Sequence, residues 1–355
     1  MSKEILSRSI GYRLKTAILS VSLIAVGLPG ALALPDNKVV ATIPTSTGLP
    51  LGMVVSPNGK FVYVACRDGG VVDVINAATN KVIASIATGN GTSYAAITPD
   101  GKTLFATNVN DSTVSVISTA KKKVVATLSV GTSPNQLAVS PDGKKVYVAI
   151  EGDPYNHTVA GGFSIIDVAS LSVTTIAIDK SYEYTYVVFS ADGTKAYLMA
   201  QQGDVVTGYG IIWEINTATD QLVTSFGTTS LYEASGLSIS RDSNTLYAAV
   251  LPSGQVPQLV ALNAFTGDLL ADIALDTNVG YNPGDTVVTP NGKYLYVADS
   301  QGGNVKMVDT STNTVVGKPI PAGSGPYGVA VAPNGNRLYI ANYISSSVTV
   351  VDISK

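Results

Sequence analysis

Four polar side chains are placed where acid–base or metal chemistry would be feasible. The only histidine, His157, has an ordinary pKa that suits proton transfer. Glu151 and Asp299 end predicted strands and Asp285 lies near the start of another, so their oxygens could converge on Ca²⁺ or Mg²⁺. Single acids on separate loops have no spacing signature, and exposed acids are the norm. We therefore treat these four as catalytic candidates without assigned roles and expect no cofactor, with Ca²⁺ or Mg²⁺ as the alternative.

Other reactive side chains lack partners in the sequence. The lone Cys66 excludes an internal disulfide, and it is either a small buried residue or a thiol activated by Arg67. No GxSxG-type motif supplies a serine nucleophile, and a single histidine argues against zinc. The 22 Lys and Arg residues are scattered and fewer than the 25 Asp and Glu residues, so we predict no nucleic-acid partner.

The first residues have the pattern of an export signal. A basic start precedes an apolar run over 17–28, and the small residues "ALA" end at Ala33. We expect residues 1–33 to be a secretory signal peptide and residues 34–355 to form a single domain. The apolar run is too short to span a bilayer comfortably. The mature protein would then be a monomer with no membrane span, located in the periplasm, secreted or held at the cell surface.

One turn-and-strand pattern recurs along the rest of the chain. It reads "SPNGKFVYVA" at its first occurrence, and the copies begin at Ser56, Thr98, Ser140, Ser190, Ser240, Thr289 and Ala332. Pro presets φ in the turn and Gly accepts a positive φ at its end. At a fixed offset from each start stands an aromatic residue: Tyr63, Phe105, Tyr147, Tyr197, Tyr247, Tyr296 and Tyr339. An offset held in every copy indicates one repeated structural unit.

Each unit is predicted to contain four strands, A to D, by alternation of apolar residues. In the first unit these are residues 50–55, 60–65, 71–76 and 81–86. The last unit lacks strand D, but "KVVATI" at Lys38 to Ile43 matches "KVIASI" at Lys81 to Ile86. We therefore predict an all-β fold, a seven-bladed β-propeller whose ring is closed by the N-terminal strand Lys38 to Ile43, with no free sheet edge at the closure.

The final unit resembles a known repeat. The sequence "GSGPYGVAVAPNGNRLYIANYISSSVTVVDIS" over 323–354 is similar to the YVTN-type β-propeller repeat of exported and surface-layer proteins. The resemblance spans the predicted mature chain, although the fourth and fifth units lack the turn Pro and the fifth also lacks the Gly. It implies the same propeller. Exported propellers similar to this one include lyases, lactonases that use a metal or His at the channel mouth, and dehydrogenase subunits that pair with redox partners.

The two faces of the predicted ring differ. The A–B and C–D turns are short and uniform, whereas the B–C loops and D–A links on the opposite face vary and are longest in blades three to five. Variable loops on a uniform scaffold are where function usually lies, and Tyr suits a contact surface exposed to water. The tyrosines predicted to bind a ligand are Tyr155, Tyr182, Tyr184, Tyr186, Tyr209, Tyr232, Tyr281 and Tyr327.

These patterns favour an exported, non-enzymatic binding protein. Its Tyr-rich loop face on blades three to five would hold a protein, a glycan or a small ligand. The alternative is an exported enzyme, either a metal- or His-assisted lyase or lactonase, or a dehydrogenase-associated subunit. Acids converging within about 3 Å of one point would favour the enzyme, and a broad Tyr-rich surface would favour the binding protein.

Overall fold

A computed structural model describes residues 34–354 apart from 154–155, 157, 203–209, 229–230, 232–233, 252–255 and 276–282. Every regular element in the described part is a β-strand. No described residue belongs to a helix long and apolar enough to cross a membrane. The expected signal peptide, 1–33, lies outside the described residues.

The strands form seven four-stranded antiparallel sheets, or blades; strands A to D follow in chain order in blades one to six, whereas strand D of blade seven is the N-terminal strand. Blade one consists of β2 (Pro50–Val55), β3 (Phe61–Cys66), β4 (Val71–Asn76) and β5 (Lys81–Ala87), and blade two of β6 (Thr92–Ile97), β7 (Thr103–Asn108), β8 (Thr113–Ser118) and β9 (Lys123–Ser129). Blade three consists of β10 (Pro134–Val139), β11 (Lys145–Ile150), β12 (Gly161–Asp167) and β13 (Val173–Asp179), and blade four of β14 (Tyr182–Phe189), β15 (Lys195–Gln202), β16 (Gly210–Asn216) and β17 (Gln221–Thr228). Blade five consists of β18 (Gly236–Ile239), β19 (Thr245–Val250), β20 (Gln258–Asn263) and β21 (Leu269–Ala274), and blade six of β22 (Thr286–Val288), β23 (Tyr294–Asp299), β24 (Asn304–Asp309) and β25 (Thr314–Pro321). Blade seven consists of β26 (Pro326–Val331), β27 (Arg337–Asn342), β28 (Ser347–Asp352) and the N-terminal strand β1 (Lys38–Pro44). The protein is thus a seven-bladed β-propeller, as the sequence predicts.

The N-terminal strand completes the last blade. Strand β1 pairs antiparallel with β28, with Lys38 opposite Asp352 and Pro44 opposite Ser347. The innermost strands of neighbouring blades pack side by side around the ring, including β26 of blade seven against β2 of blade one. The ring is therefore closed, and the predicted closing strand is confirmed to within one residue.

The recurrent aromatic of strand B seals the contact between blades. In blade three, Tyr147 is fully buried and lies 5.5 Å from the ring centroid of Phe163 in its own blade and 4.9 Å from that of Phe189 in the next blade. All seven of these aromatics are at most 2% exposed. A large ring at this position fills the wedge between adjacent sheets, which explains why each unit needs one.

Side-chain hydrogen bonds fix each A–B turn. The Ser140 hydroxyl donates to Asp142 Oδ1 at 2.7 Å and accepts from the Lys145 backbone N–H at 3.0 Å. Gly143 closes this turn with φ of 72°, in the left-handed region that favours glycine. In the fifth unit, where the sequence lacks this Gly, Ser243 adopts φ of 61° instead. The turn geometry therefore survives the substitution.

Candidate functional site

In most blades the innermost strand, strand A, has an irregular register near its first residues. These residues lie at the loop face of the ring, and we call this the channel end of strand A. The register of strand A against strand B shifts in blades one, two, three, four and seven. In blade two the shift falls between Thr92 and Ala95, so Ser93 and Tyr94 leave the regular ladder. Such bulges redirect side chains, and here the freed residues of four blades line one cavity.

One position near the start of strand A, four residues before each turn start, is a glycine in three blades and a larger side chain in the other four. Around the ring it is occupied by Gly52, Tyr94, Gln136, Tyr186, Gly236, Asp285 and Gly328. A Cβ at Gly52 would lie 2.5 Å from Cδ1 of Tyr94, and one at Gly328 would overlap the Leu51 carbonyl oxygen. The glycines therefore make room for neighbouring backbone and for the large side chains of other blades.

Three tyrosines from different blades meet in the channel. The hydroxyls of Tyr94 and Tyr186 are 2.7 Å apart, and their rings pack edge to face with centroids 5.8 Å apart. The side chain of Tyr327, from blade seven, is close enough to both tyrosines to affect the pKa of each. Burial raises the pKa of Tyr94 and Tyr186 well above the ordinary value, with Tyr327 contributing next. The three hydroxyls therefore stay protonated and form a neutral cluster, in which Tyr94 and Tyr186 are hydrogen-bonded to each other.

An acid lies against this tyrosine cluster. Asp285 is half-buried just before β22, its Oδ1 accepts the backbone N–H of Thr286 at 2.8 Å, and its own backbone N–H donates to the Tyr327 carbonyl at 2.8 Å. Burial raises the pKa of Asp285 to about 7, partly offset by the hydrogen bond from Thr286. Near neutral pH this carboxyl can therefore either donate or accept a proton.

Above the tyrosine cluster, a cavity of about 260 Å³ forms the channel mouth. Arg67 is exposed at its rim, and Glu151 is half-buried and accepts a hydrogen bond from Asn135 Nδ2. Burial raises the pKa of Glu151 to about 7 against the effect of that hydrogen bond; Glu183 raises it further and Arg67 lowers it. The lining residues are Leu51, Arg67, Ser93, Tyr94, Val109, Asn135, Glu151, Tyr327 and Tyr343.

The predicted ligand-binding tyrosines separate into three groups. Tyr186 and Tyr327 belong to the tyrosine cluster, whereas Tyr182 is half-buried and packs against the core between blades three and four. Tyr184 is fully buried in that same core. This corrects the expectation that Tyr184 contacts a ligand, because its ring presents no surface to the solvent. The other predicted positions, Tyr155, Tyr209, Tyr232 and Tyr281, lie outside the described residues.

The acid candidates also differ in their surroundings. Glu151 and Asp285 face the channel region, but Asp299 accepts the backbone N–H of Gly302 at 2.8 Å and lies 3.4 Å from Lys306 Nζ. Asp299 therefore supports the B–C turn of its own blade, and the structure does not bring it to the mouth. His157 lies outside the described residues. Among the described residues, no three His, Cys, Asp or Glu side chains are grouped to hold a metal.

Cys66 belongs to the blade interior. Its thiol is fully buried, 3.8 Å from Asp73 Oδ2. Burial raises the pKa of this thiol, and the negative charge of Asp73 raises it further. A thiol that stays protonated is a poor nucleophile, so the structure favours the interpretation as a small buried residue.

Several lining residues were not predicted as site residues: Arg67, Ser93, Tyr94, Asn135 and Tyr343. Blades one, two, three and seven provide the cavity, whereas the predicted surface was on blades three to five, whose loop tips lie partly outside the described residues. A signal was available in the sequence. Alignment of the repeated units on their turns shows that the positions just before the regular part of strand A vary between units, whereas the turns are nearly uniform.

Comparisons with known proteins agree with the fold. A family model described as a choice-of-anchor I domain matches residues 53–198, and one described as a lactonase, 7-bladed beta-propeller, matches residues 280–355. The chain is a β-propeller protein. The choice-of-anchor match indicates a secreted or cell-surface protein. Neither description names the YVTN-type repeat, which stays a prediction, and no curated protein matches the chain.

Solved structures support the architecture alone. Hydrazine synthase of Kuenenia stuttgartiensis superposes with a TM-score of 0.77 at 23% identity, over 88% of this chain and 98% of that chain. At this identity the likeness shows a shared fold. Because 1617 chains of solved structures match, the ring is too widely shared to identify a function.

Proposed function

We propose that the protein is an exported, non-enzymatic binding protein that holds a small carboxylate-bearing ligand at the channel mouth. The observation that carries this proposal is the cavity of about 260 Å³ at the channel mouth, in which Arg67, Glu151 and tyrosines from separate blades meet. This volume lies just below the range for drug-sized ligand sites, roughly 300 to 1,000 Å³, so the ligand must be small.

The cavity is rich in hydrogen-bond donors. Arg67 presents a guanidinium, which suits bidentate binding of a carboxylate, and Tyr343 lines the same cavity with a hydroxyl that can donate a hydrogen bond. Protonated Glu151 adds one more donor. Burial raises the pKa of Glu151 to about 7. Below pH 7 the protonated Glu151 can donate a hydrogen bond to the carboxylate of the ligand, and above pH 7 the ionised Glu151 would repel that carboxylate.

Thermal unfolding of residues 34–355 with a panel of small carboxylates and their matching amides tests the proposal. A bound carboxylate at 100 times its dissociation constant should stabilise the fold by about 2.7 kcal/mol, and the amide should not. Arg67→Gln should weaken binding at least tenfold, whereas Lys102→Gln, which changes an 81% exposed lysine on the turn face, should leave it unchanged. Equal effects of acids and amides, or no effect of Arg67→Gln, would contradict carboxylate binding.

A second candidate is a lactone hydrolase. The lactonase family model covers residues 280–355, which include Asp285 and Tyr327, and both Glu151 and Asp285 have a pKa near 7, which suits general acid–base catalysis. One carboxylate would accept the proton of a water that attacks the lactone carbonyl, and the other would protonate the departing ring oxygen.

Proton release from δ-gluconolactone and dihydrocoumarin distinguishes this enzyme from a binding protein. The enzyme predicts a rate above spontaneous hydrolysis that falls at least a hundredfold in both Glu151→Gln and Asp285→Asn. The binding protein predicts the spontaneous rate with every variant. Lys102→Gln is again the matched control, since it leaves the channel unaltered.

A further inference from the structure

A larger groove runs from the channel mouth across the loop face of blades six and seven. Its volume is about 1150 Å³, and it extends from Tyr327 and Tyr343 to Thr42 and Pro44 at the end of β1. Among the described residues, Tyr327 and Tyr343 line both this groove and the channel-mouth cavity. The volume exceeds the roughly 300 to 1,000 Å³ of a typical small-molecule site, so the groove suits an extended ligand.

The lining of the groove is uncharged. None of its described lining residues is Lys, Arg, Asp or Glu, although charged side chains are the commonest residues on an exposed surface. Hydroxyl and amide side chains from Ser300, Gln301, Ser324 and Ser345 accompany two tyrosines. Hydroxyls both donate and accept hydrogen bonds, so this lining matches a neutral ligand that carries hydroxyls of its own.

The groove also presents apolar surface. Ile344 is 69% exposed, more than any other large apolar side chain in the described part of the chain. Tyr343 beside it is half-buried. Flat aromatic and aliphatic surface next to hydroxyls fits a sugar, which has an apolar face of C–H groups and a hydroxyl rim.

The backbone of the groove leaves little for a peptide to pair with. The backbone N–H of Tyr343 donates to the Gly325 carbonyl at 2.7 Å, and those of Ile344 and Ser345 both donate to the Ser324 carbonyl at 3.2 Å. The backbone N–H of Gly323 donates to Asn342 Oδ1 at 2.9 Å. A peptide commonly binds by adding a strand to unpaired backbone groups, and these N–H groups are already occupied within the loops.

We propose that this groove, defined by the B–C loops of blades six and seven and the link between them, binds a neutral oligosaccharide chain. The sugar rings would lie on Tyr343 and Ile344, and their hydroxyls would bond to the serines and Gln301. The inference goes beyond carboxylate binding at the channel mouth, because the groove shares only Tyr327 and Tyr343 with the described lining of that cavity and is argued mainly from Ile344, Gln301 and the serines.

An array of neutral and acidic oligosaccharides, followed by titration calorimetry of residues 34–355 with each binder, tests the groove. Neutral oligosaccharides should bind, with affinity rising from monosaccharide to tetrasaccharide as more of the groove fills. Ile344→Glu should reduce this affinity at least tenfold. The matched control is Val125→Glu, which places the same charge on a 50% exposed apolar position of blade two and should change nothing.

The outcomes separate this inference from the proposed carboxylate site. Arg67→Gln should leave the affinity for neutral oligosaccharides within twofold of wild type, while it weakens small carboxylates. Absence of binding to every oligosaccharide on the array, or binding that Ile344→Glu leaves unchanged, would overturn the groove inference even if carboxylates bind. A peptide library that yields an Ile344-dependent binder, with no sugar bound, would also overturn it.

Discussion

The two ends of strand A differ in how the sequence is constrained. At the turn end, nearly every blade has the same Ser or Thr bonded to an Asp or Asn, as Ser140 is to Asp142. At the channel end, the equivalent position is a tyrosine in two blades, an acid in one, an amide in one and glycine in three. The turn end meets the same local requirement seven times, whereas each residue at the channel end meets different neighbours, so only the channel end can specify a ligand.

The largest expected effect comes from a glycine at the channel end. Gly328→Ala would place a Cβ on the Leu51 carbonyl oxygen of the next blade, and backbone there cannot move without shifting the blade. We expect a loss of about 3 kcal/mol in the free energy of unfolding, measured by urea denaturation.

A glycine at the turn end provides the contrast. Gly59 has φ of 69°, and a Cβ there would meet nothing within 4 Å. Gly59→Ala should therefore cost only the left-handed backbone strain, about 1 kcal/mol. If Gly328→Ala and Gly59→Ala lowered the free energy of unfolding equally, close packing between blades would not constrain the channel end of strand A more than the turn end.

The tyrosine cluster predicts a smaller effect at the channel end. Tyr94→Phe keeps the ring but removes the hydroxyl that bonds to Tyr186 at 2.7 Å, so a buried polar group loses a partner. The expected cost is about 1 to 2 kcal/mol. Tyr343→Phe is the control, since Tyr343 is half-buried at the mouth and no side-chain hydrogen bond of the described residues depends on its hydroxyl. A larger loss for Tyr343→Phe than for Tyr94→Phe would contradict a stabilising role of the tyrosine cluster.

The turn hydroxyl predicts an effect of about 1 kcal/mol. Ser140→Ala removes the hydroxyl that bonds both Asp142 and the Lys145 backbone N–H. Ser140→Thr retains the hydroxyl, and Thr occupies the same place at Thr98, so its stability should stay near that of wild type. Thermal unfolding of both variants measures this difference, and equal destabilisation would indicate a steric cause.

The smallest effect is a difference in pH dependence between the two ends. A hydrogen bond from Ser140 lowers the pKa of Asp142, so its stabilisation is present above its unfolded pKa and is lost as pH falls through the lower folded value. Burial raises the pKa of Glu151 and Asp285 to about 7 in the folded protein, above the value of about 4 in the unfolded chain. Their contribution to the free energy of unfolding is therefore most favourable at low pH and decreases as pH rises from about 4 to 7. Both acids keep some contact with water, which limits the size of the effect.

Unfolding free energies across this pH range measure the difference. The wild type should lose stability as pH rises from about 4 to 7, and the double substitution Glu151→Gln and Asp285→Asn should remove most of that slope. An unchanged slope in the double variant would show that other groups titrate.

Most of the fold follows from local sequence, while half of the candidate site does not. The turns of the repeat and the match of Lys38 to Ile43 with other D strands predict the blade count and the ring closure, because turn chemistry and strand alternation act within a few residues. Tyr186, Tyr327, Glu151 and Asp285 were predicted as candidates from their loop positions. Tyr184 has the same residue type two positions from Tyr186, yet it is buried between blades.

The sequence alone determined the repeated unit, the number of blades and the strand that closes the ring. The first two depend on contacts between residues close together in the chain, and the third depends on the pairing of strands C and D, which is the same in every blade. Only the tertiary structure decided which side chains share the channel. Tyr94 and Tyr186 are 92 residues apart in the sequence, and Asp285 bonds through its backbone to Tyr327 across a blade boundary. Ring closure brings such residues together, and the strand A bulges and the channel glycines set which of them touch.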